Sequence, residues 1–205
     1  MKQLTFQEML DCAGTNVAAF RSLERRGRAA LAFGAAQVTG ELGRYFDLDS
    51  ASQRLTIEVS KGLDQDIAPS LVRGHADLWL FAVALADTEP SPIYFQIGIY
   101  GEGKKAKYHV SAGDLASLQE ARVEHKFPPP DRLVLVNVNT VLATVRANGR
   151  KAGIDLSAAF FPAPGDPLYE KLTETVREQR EAALARQRAK KLPRKMVKLL
   201  EARTT

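Results

Sequence analysis

The strongest chemical signal in this 205-residue chain is a set of arginines spaced along one short segment. Between Thr5 and Arg28 (TFQEMLDCAGTNVAAFRSLERRGR), Arg21, Arg25 and Arg26 recur at helical spacing. Ala18, Ala19 and Ser22 lie between or before them, and Asn16 stands just ahead. A guanidinium fork bonds bidentately to a guanine edge, and small neighbours let a helix enter a major groove. Base readout is therefore expected from Arg21 or Arg25, within a face made of Asn16, Ala18, Ala19, Arg21, Ser22, Arg25 and Arg26. Arg28 and Arg44 are expected to meet phosphates. Other reactive types are sparse. His75, His109 and His125 show no metal-ligand spacing, and the trio Ser111, His109 and Asp114 is of a kind that any chain this size offers. The single Cys12 excludes an internal disulfide and a cysteine-rich zinc site, and reads as a small core residue. Tyr94, Tyr100 and Tyr108 suit either an aromatic ligand face or the rim of an ordinary sheet. No catalytic residue, cofactor or metal is expected, and the chain does not read as an enzyme.

Two short helices and a turn must position the arginines. Phe6, Met9 and Leu10 line one helix, Ala13–Asn16 supplies a turn with a side-chain cap, and Val17, Phe20 and Leu23 resume an apolar stripe that Gly27 ends. Glycine sits where the backbone needs a positive φ, and Asn16 can accept from the free N–H groups that open the second helix. A small helical hairpin that merely packs would show a similar stripe.

This segment resembles the helix-turn-helix of MerR-type transcription regulators. Thr5, Glu8, Gly14, Arg21, Glu24 and Gly27 fall in register with that family's pattern without a gap; Phe20 takes the buried aliphatic place and Asn16 the serine cap place. The match covers about two dozen residues. The family's early arginine of the second helix is Ala18 here, its paired tyrosines are Ser22 and Leu23, and its proline-arginine wing sequence is absent. The resemblance implies a DNA-binding module, a wing and a following helix.

Composition agrees with a globular chain: 45% hydrophobic and 26% charged residues. The longest apolar run, Leu78 to Ala86, is too short to span a bilayer, and the N-terminus lacks a secretory layout. No membrane partner is expected, and cytoplasm is the default location. Net charge is +5 and lies at the ends. Residues 1–46 carry six Lys/Arg against four Asp/Glu, 47–168 twelve against fifteen, and 169–205 eleven against five. A basic head and tail around a near-neutral body suits nucleic acid or an acidic protein.

Along the rest of the chain, a hairpin over Phe33–Thr39 and Arg44–Phe46 would serve as a wing; a connector loop is the alternative. A helix is expected from Asp47 to about Gly62 despite the strand-like RLTIEV, then one from Asp64 or Ile67 to Val72, with a domain boundary near Arg73–His75. Strands are expected over Leu78–Asp87, Ile93–Tyr100 and Ala106–Ser111 as an antiparallel meander, and Gly113-Asp114 caps a helix to Arg122. Leu133–Val138 reads as a buried strand. Asn139 or Thr140 would cap a helix with Val141, Leu142 and Val145 in the core, and Ala158–Phe161 a last strand. Pro162–Pro167 is the clearest linker, followed by a polar, basic helix from Tyr169 to Lys191.

The expected fold is α+β, with an N-terminal helix-turn-helix and wing, a central antiparallel or mixed sheet with helices, and a C-terminal basic helix. Its parts are residues 1–74 (DNA binding), 75–165 (dimerisation or effector sensing) and 166–205 (tail). The expected function is a sequence-specific DNA-binding transcriptional regulator. Double-stranded DNA, a second copy of the chain and a small-molecule effector or protein are its expected partners. The alternative is a non-enzymatic assembly module whose basic terminal helices bind an acidic partner.

Overall fold

The computed structural model describes residues 2–25, 45–64, 66–124, 128–162, 165, 169–170 and 174. In chain order its elements are β1 (Gln3–Leu4), α1 (Phe6–Ala13), α2 (Val17–Arg25), β2 (Tyr45–Phe46), α3 (Asp47–Ser60), α4 (Ala68–Gly74), α5 (Ala76–Thr88), β3 (Tyr94–Tyr100), a 3-10 turn (Gly103–Lys105), β4 (Lys107–Gly113), α6 (Leu115–Glu124), β5 (Arg132–Asn137) and α7 (Val138–Lys151). The class is mixed α+β, with seven α-helices and two small antiparallel sheets among the described residues.

Helix α1 is the hub of the packing. Thr5 starts it reciprocally: Glu8 N–H donates to Thr5 Oγ1 at 3.3 Å, and Thr5 N–H donates to Glu8 Oε2 at 2.7 Å. Two orphan donors of the helix end are thereby satisfied. Met9, Leu10, Cys12 and Ala13 are fully buried, and the helix packs on α3 and α7. Asn148 of α7 donates from Nδ2 to the Cys12 carbonyl at 3.1 Å. In α3, Ser50 Oγ donates to the Met9 carbonyl at 3.0 Å, and Ser52 Oγ accepts from Trp79 Nε1 at 2.7 Å. The strand-like RLTIEV is helical, as expected. Thr56 and Ser60 return their hydroxyls to the carbonyls of Ser52 and Thr56, which satisfies them inside a helix.

Three expectations are corrected. Leu78–Asp87 is not a strand but most of α5. An unbroken apolar run of this length fits a buried helix as well as a buried strand, and four alanines and three leucines without Gly or Pro favour the helix. The sheet is consequently no meander from residue 78; its order is β4-β3-β5, with both neighbours antiparallel to β3. Ala158–Phe161 forms bends rather than a strand. The Asp87 carboxylate holds it instead, accepting from Phe160 N–H at 2.8 Å and Arg146 Nη2 at 3.0 Å, while Arg146 stacks 4.6 Å over the Phe160 ring.

Two finer points also differ. Burial was expected along the whole of Leu133–Val138, yet β5 is an edge strand with Leu133 and Leu135 exposed. The cap of α7 is Asn137, whose Oδ1 accepts from Thr140 N–H at 3.0 Å, rather than Asn139 or Thr140. Asn139 instead accepts from Ile93 N–H at 2.8 Å.

The chain divides into two compact units, Met1–Ala163 and Pro164–Thr205. The boundary expected at 74/75 falls inside the first, where α1 packs on the sequence-distant α7. In the second unit Tyr169, Glu170 and Glu174 are helical; the rest of the expected basic tail lies outside the described residues. No helix among the described residues is long and apolar enough to cross a membrane.

Candidate nucleic-acid interface

The turn that leads into α2 is set by Gly14. Its φ of 71° is the left-handed conformation that favours glycine, and its N–H returns to the Asp11 carbonyl at 3.1 Å. The site is also crowded, because an added Cβ would lie 2.9 Å from Asn148 Nδ2. Asn16 then opens α2, its Oδ1 accepting from Ala19 N–H at 2.9 Å.

Only Phe20 of α2 is buried. Its ring meets Phe6 edge-on with centroids 5.3 Å apart, and Phe6 in turn lies 5.3 Å from the Tyr45 ring. Among the described residues Phe20 is thus the buried anchor of α2, while α1 is committed to the core. The opposite face is exposed. Asn16, Ala18, Ala19, Arg21 and Arg25 are exposed, and Ser22 is half-buried. Arg21 and Arg25 sit one turn apart, with Arg25 Nε donating to the Arg21 carbonyl at 3.3 Å. Six of the nine expected interface residues therefore share one short helix and its cap. Arg26, Arg28 and Arg44 lie outside the described residues, as does the expected hairpin strand Phe33–Thr39.

The described part of that hairpin's other expected strand, Tyr45–Phe46, takes a place that was not expected. Tyr45–Phe46 pairs with Gln3–Leu4 as a two-stranded ribbon. Tyr45 is half-buried against Phe6; burial raises its phenol pKa, and the Glu24 and Asp49 carboxylates add to the rise. Asp47 fastens the ribbon to α3. It is buried, and Oδ2 accepts from Lys2 N–H while Oδ1 accepts from Leu48 N–H, both at 2.9 Å. Burial pushes its carboxyl up to about 6.

Elsewhere the candidate groups do not assemble. Asp114 spends its carboxylate on the start of α6, accepting from Ala116 N–H, Ser117 N–H and Ser117 Oγ; the Ser117 bonds hold it below its usual range. Ser111 Oγ accepts from Gln96 Nε2 at 3.3 Å. His75 ends α4 with Nδ1 2.9 Å from the Leu71 carbonyl, His109 lies on β4, and His125 is outside the described residues. Cys12 is buried, and burial raises its thiol to about 11. No three His, Cys, Asp or Glu side chains converge on a metal position among the described residues.

The three tyrosines do not share a face. Tyr108 is in register with Ile99, while Tyr94 and Tyr100 belong to the alternate set of β3. Tyr108 lines a cavity of about 620 Å³ with Ile99, Leu63 and Ile67, and Tyr100 donates its hydroxyl to the Pro128 carbonyl at 3.2 Å. No protein-family model matches the chain, and no curated protein matches it.

Proposed function

We propose that this chain is a sequence-specific DNA-binding transcriptional regulator that lays α2 in the major groove. The observation that carries the reading is the division of labour between the first two helices. α1 is sealed into the core, whereas α2 is held by Phe20 and leaves Asn16, Ala18, Ala19, Arg21 and Arg25 free on one side. A short helix with a small-residue opening and two aligned arginines fits a groove about 12 Å wide. The resemblance of residues 5–27 to the MerR-type helix-turn-helix supports the same reading, with a wing between α2 and β2 and a basic tail helix as its further parts. Two copies would give a single small reader its half-site register.

The test is selection from a random duplex library at near-physiological salt, followed by affinity measurement on the enriched site. Deleting residues 1–46 would remove the α1 core, so point variants are the proper control. Arg21→Ala and Arg25→Ala are each expected to weaken specific binding by about 1–3 kcal/mol and to relax preference at one base position. Unchanged affinity and an unchanged motif in both variants would remove α2 from the interface.

A further inference from the structure

We propose that the free edge of β5 is a self-association surface, on which a second copy of this chain adds its own β5 to make one continuous sheet. Among the described residues the strand pairs only with β3, in unbroken antiparallel register from Arg132 opposite Ile99 to Asn137 opposite Tyr94. Val138 N–H donates to the Ile93 carbonyl at 2.8 Å, and Asp131 N–H donates to the Ile99 carbonyl at 2.9 Å. Both bonds place the odd-numbered main-chain groups of β3 toward β5. By alternation, Val134 and Val136 turn their N–H and C=O to β3, and Leu133 and Leu135 turn theirs outward. Those outward groups meet no partner among the described residues.

The side chains tell the same story. Val134 and Val136 follow Ile97 and Phe95 toward the core, whereas Leu133 and Leu135 stand on the other face, 51% and 39% exposed. A strand apolar on both faces belongs inside a sheet, not at its rim. Edges that stay unpaired carry charge, proline or a bulge, and none occurs between Leu133 and Asn137. A groove of about 440 Å³ is lined by residues 133–137 of this strand together with Glu58, Gly62, Thr140 and Thr144.

The chemistry selects the occupant. The stretch 133–137 is uncharged, and Glu58 and Lys61 of the groove pair with each other, so a charged peptide is offered no free countercharge there, while two copies meet without repulsion. Antiparallel pairing about a two-fold at Val134 sets Leu133 opposite Leu135 of the partner subunit, and the reverse, with four main-chain hydrogen bonds. The sheet order becomes β4-β3-β5-β5-β3-β4.

The full chain should sediment as a dimer. The double variant Leu133→Lys/Leu135→Lys alters only exposed side chains, so it should keep its circular dichroism and unfolding transition. It places like charges directly opposite across the two-fold, and is expected to weaken dimerisation about tenfold or more. Amide exchange adds a site-specific readout. In the wild type the amides of residues 133 and 135 should exchange slowly and in the double variant rapidly, while the Val134 amide, bonded within the chain, stays slow in both. A monomeric wild type, a variant that dimerises as tightly, or rapid exchange at 133 and 135 in a wild-type dimer would each overturn the proposal. None of these measurements uses DNA, so their failure would leave the reading of α2 standing.

Discussion

Replacing Asp47 with asparagine tests how the N-terminal ribbon is held. The Asp47 carboxyl is buried, and its removal from water raises its pKa to about 6 from an ordinary 3.8. The N–H groups of Lys2 and Leu48 and the chain's amino terminus oppose that rise, and the neighbouring Asp87 carboxylate adds to it. The folded chain therefore holds this proton more tightly than the unfolded one. Stability then falls as pH rises from about 4 to about 6 and is flat above that range as far as Asp47 is concerned. The gap corresponds to about 3 kcal/mol at 1.36 kcal/mol per tenfold change in proton affinity. Asp47→Asn keeps one acceptor oxygen and cannot ionise, but it sets an amide NH₂ against one of the two N–H donors. The offset between variant and wild type thus includes a hydrogen-bond cost of about 1–3 kcal/mol that does not change with pH. The informative quantity is how that offset changes. Urea unfolding of both proteins at pH 3.5, 5 and 7.5 should show the variant gaining on the wild type by about 3 kcal/mol from the lowest to the highest pH. An offset constant across the series, or one that moves the other way, would refute a desolvated carboxylate at this position.

The remaining expectations concern the anchoring of α2. Phe20→Ala removes the one buried side chain of that helix and should cost about 3–5 kcal/mol, less where α2 undocks without unfolding the core. Denaturant unfolding gives the magnitude, and faster amide exchange confined to α2 would identify local undocking. Gly14→Ala forces a side chain into a φ of 71° and against Asn148, so it should destabilise by about 1–2 kcal/mol at least, read from the thermal midpoint. A neutral result would mean that the turn readjusts freely.

What was legible in the sequence was local. The Gly14 turn, the Asn16 cap and the Phe20 stripe all act within a few residues, and each appears where its chemistry places it. The exposed face of α2 follows from the same short-range pattern. Period-two alternation likewise located β3. Periodicity fails where a segment is apolar all round. LWLFAVALA and LVLVNV give no face to read, so the first passes for a strand and the second for a buried one. Long-range links carry no sequence signal. Asp47 meets Lys2 across 45 residues, and Asn148 meets Cys12 across 136. Asp87 replaces a sheet ladder for residues 160–161 by two side-chain acceptor bonds, which no local propensity announces.

Those long-range links join the two proposed surfaces. Asn137, at the end of β5, caps α7 by accepting from Thr140 N–H. Near its other end α7 presents Asn148, which donates to the Cys12 carbonyl in the last turn of α1 and packs against Gly14. Gly14 begins the turn into α2, and Phe20 returns α2 to Phe6 on α1. Each step is a hydrogen bond or a packing contact among the described residues of the first unit. A pair of chains joined along β5 would therefore hold its two α2 helices at a fixed separation. Sequence selectivity would then include the spacing between half-sites as well as the bases that Arg21 and Arg25 touch. In that arrangement the edge strand contributes to specificity without approaching DNA, because it sets where the second reading helix falls.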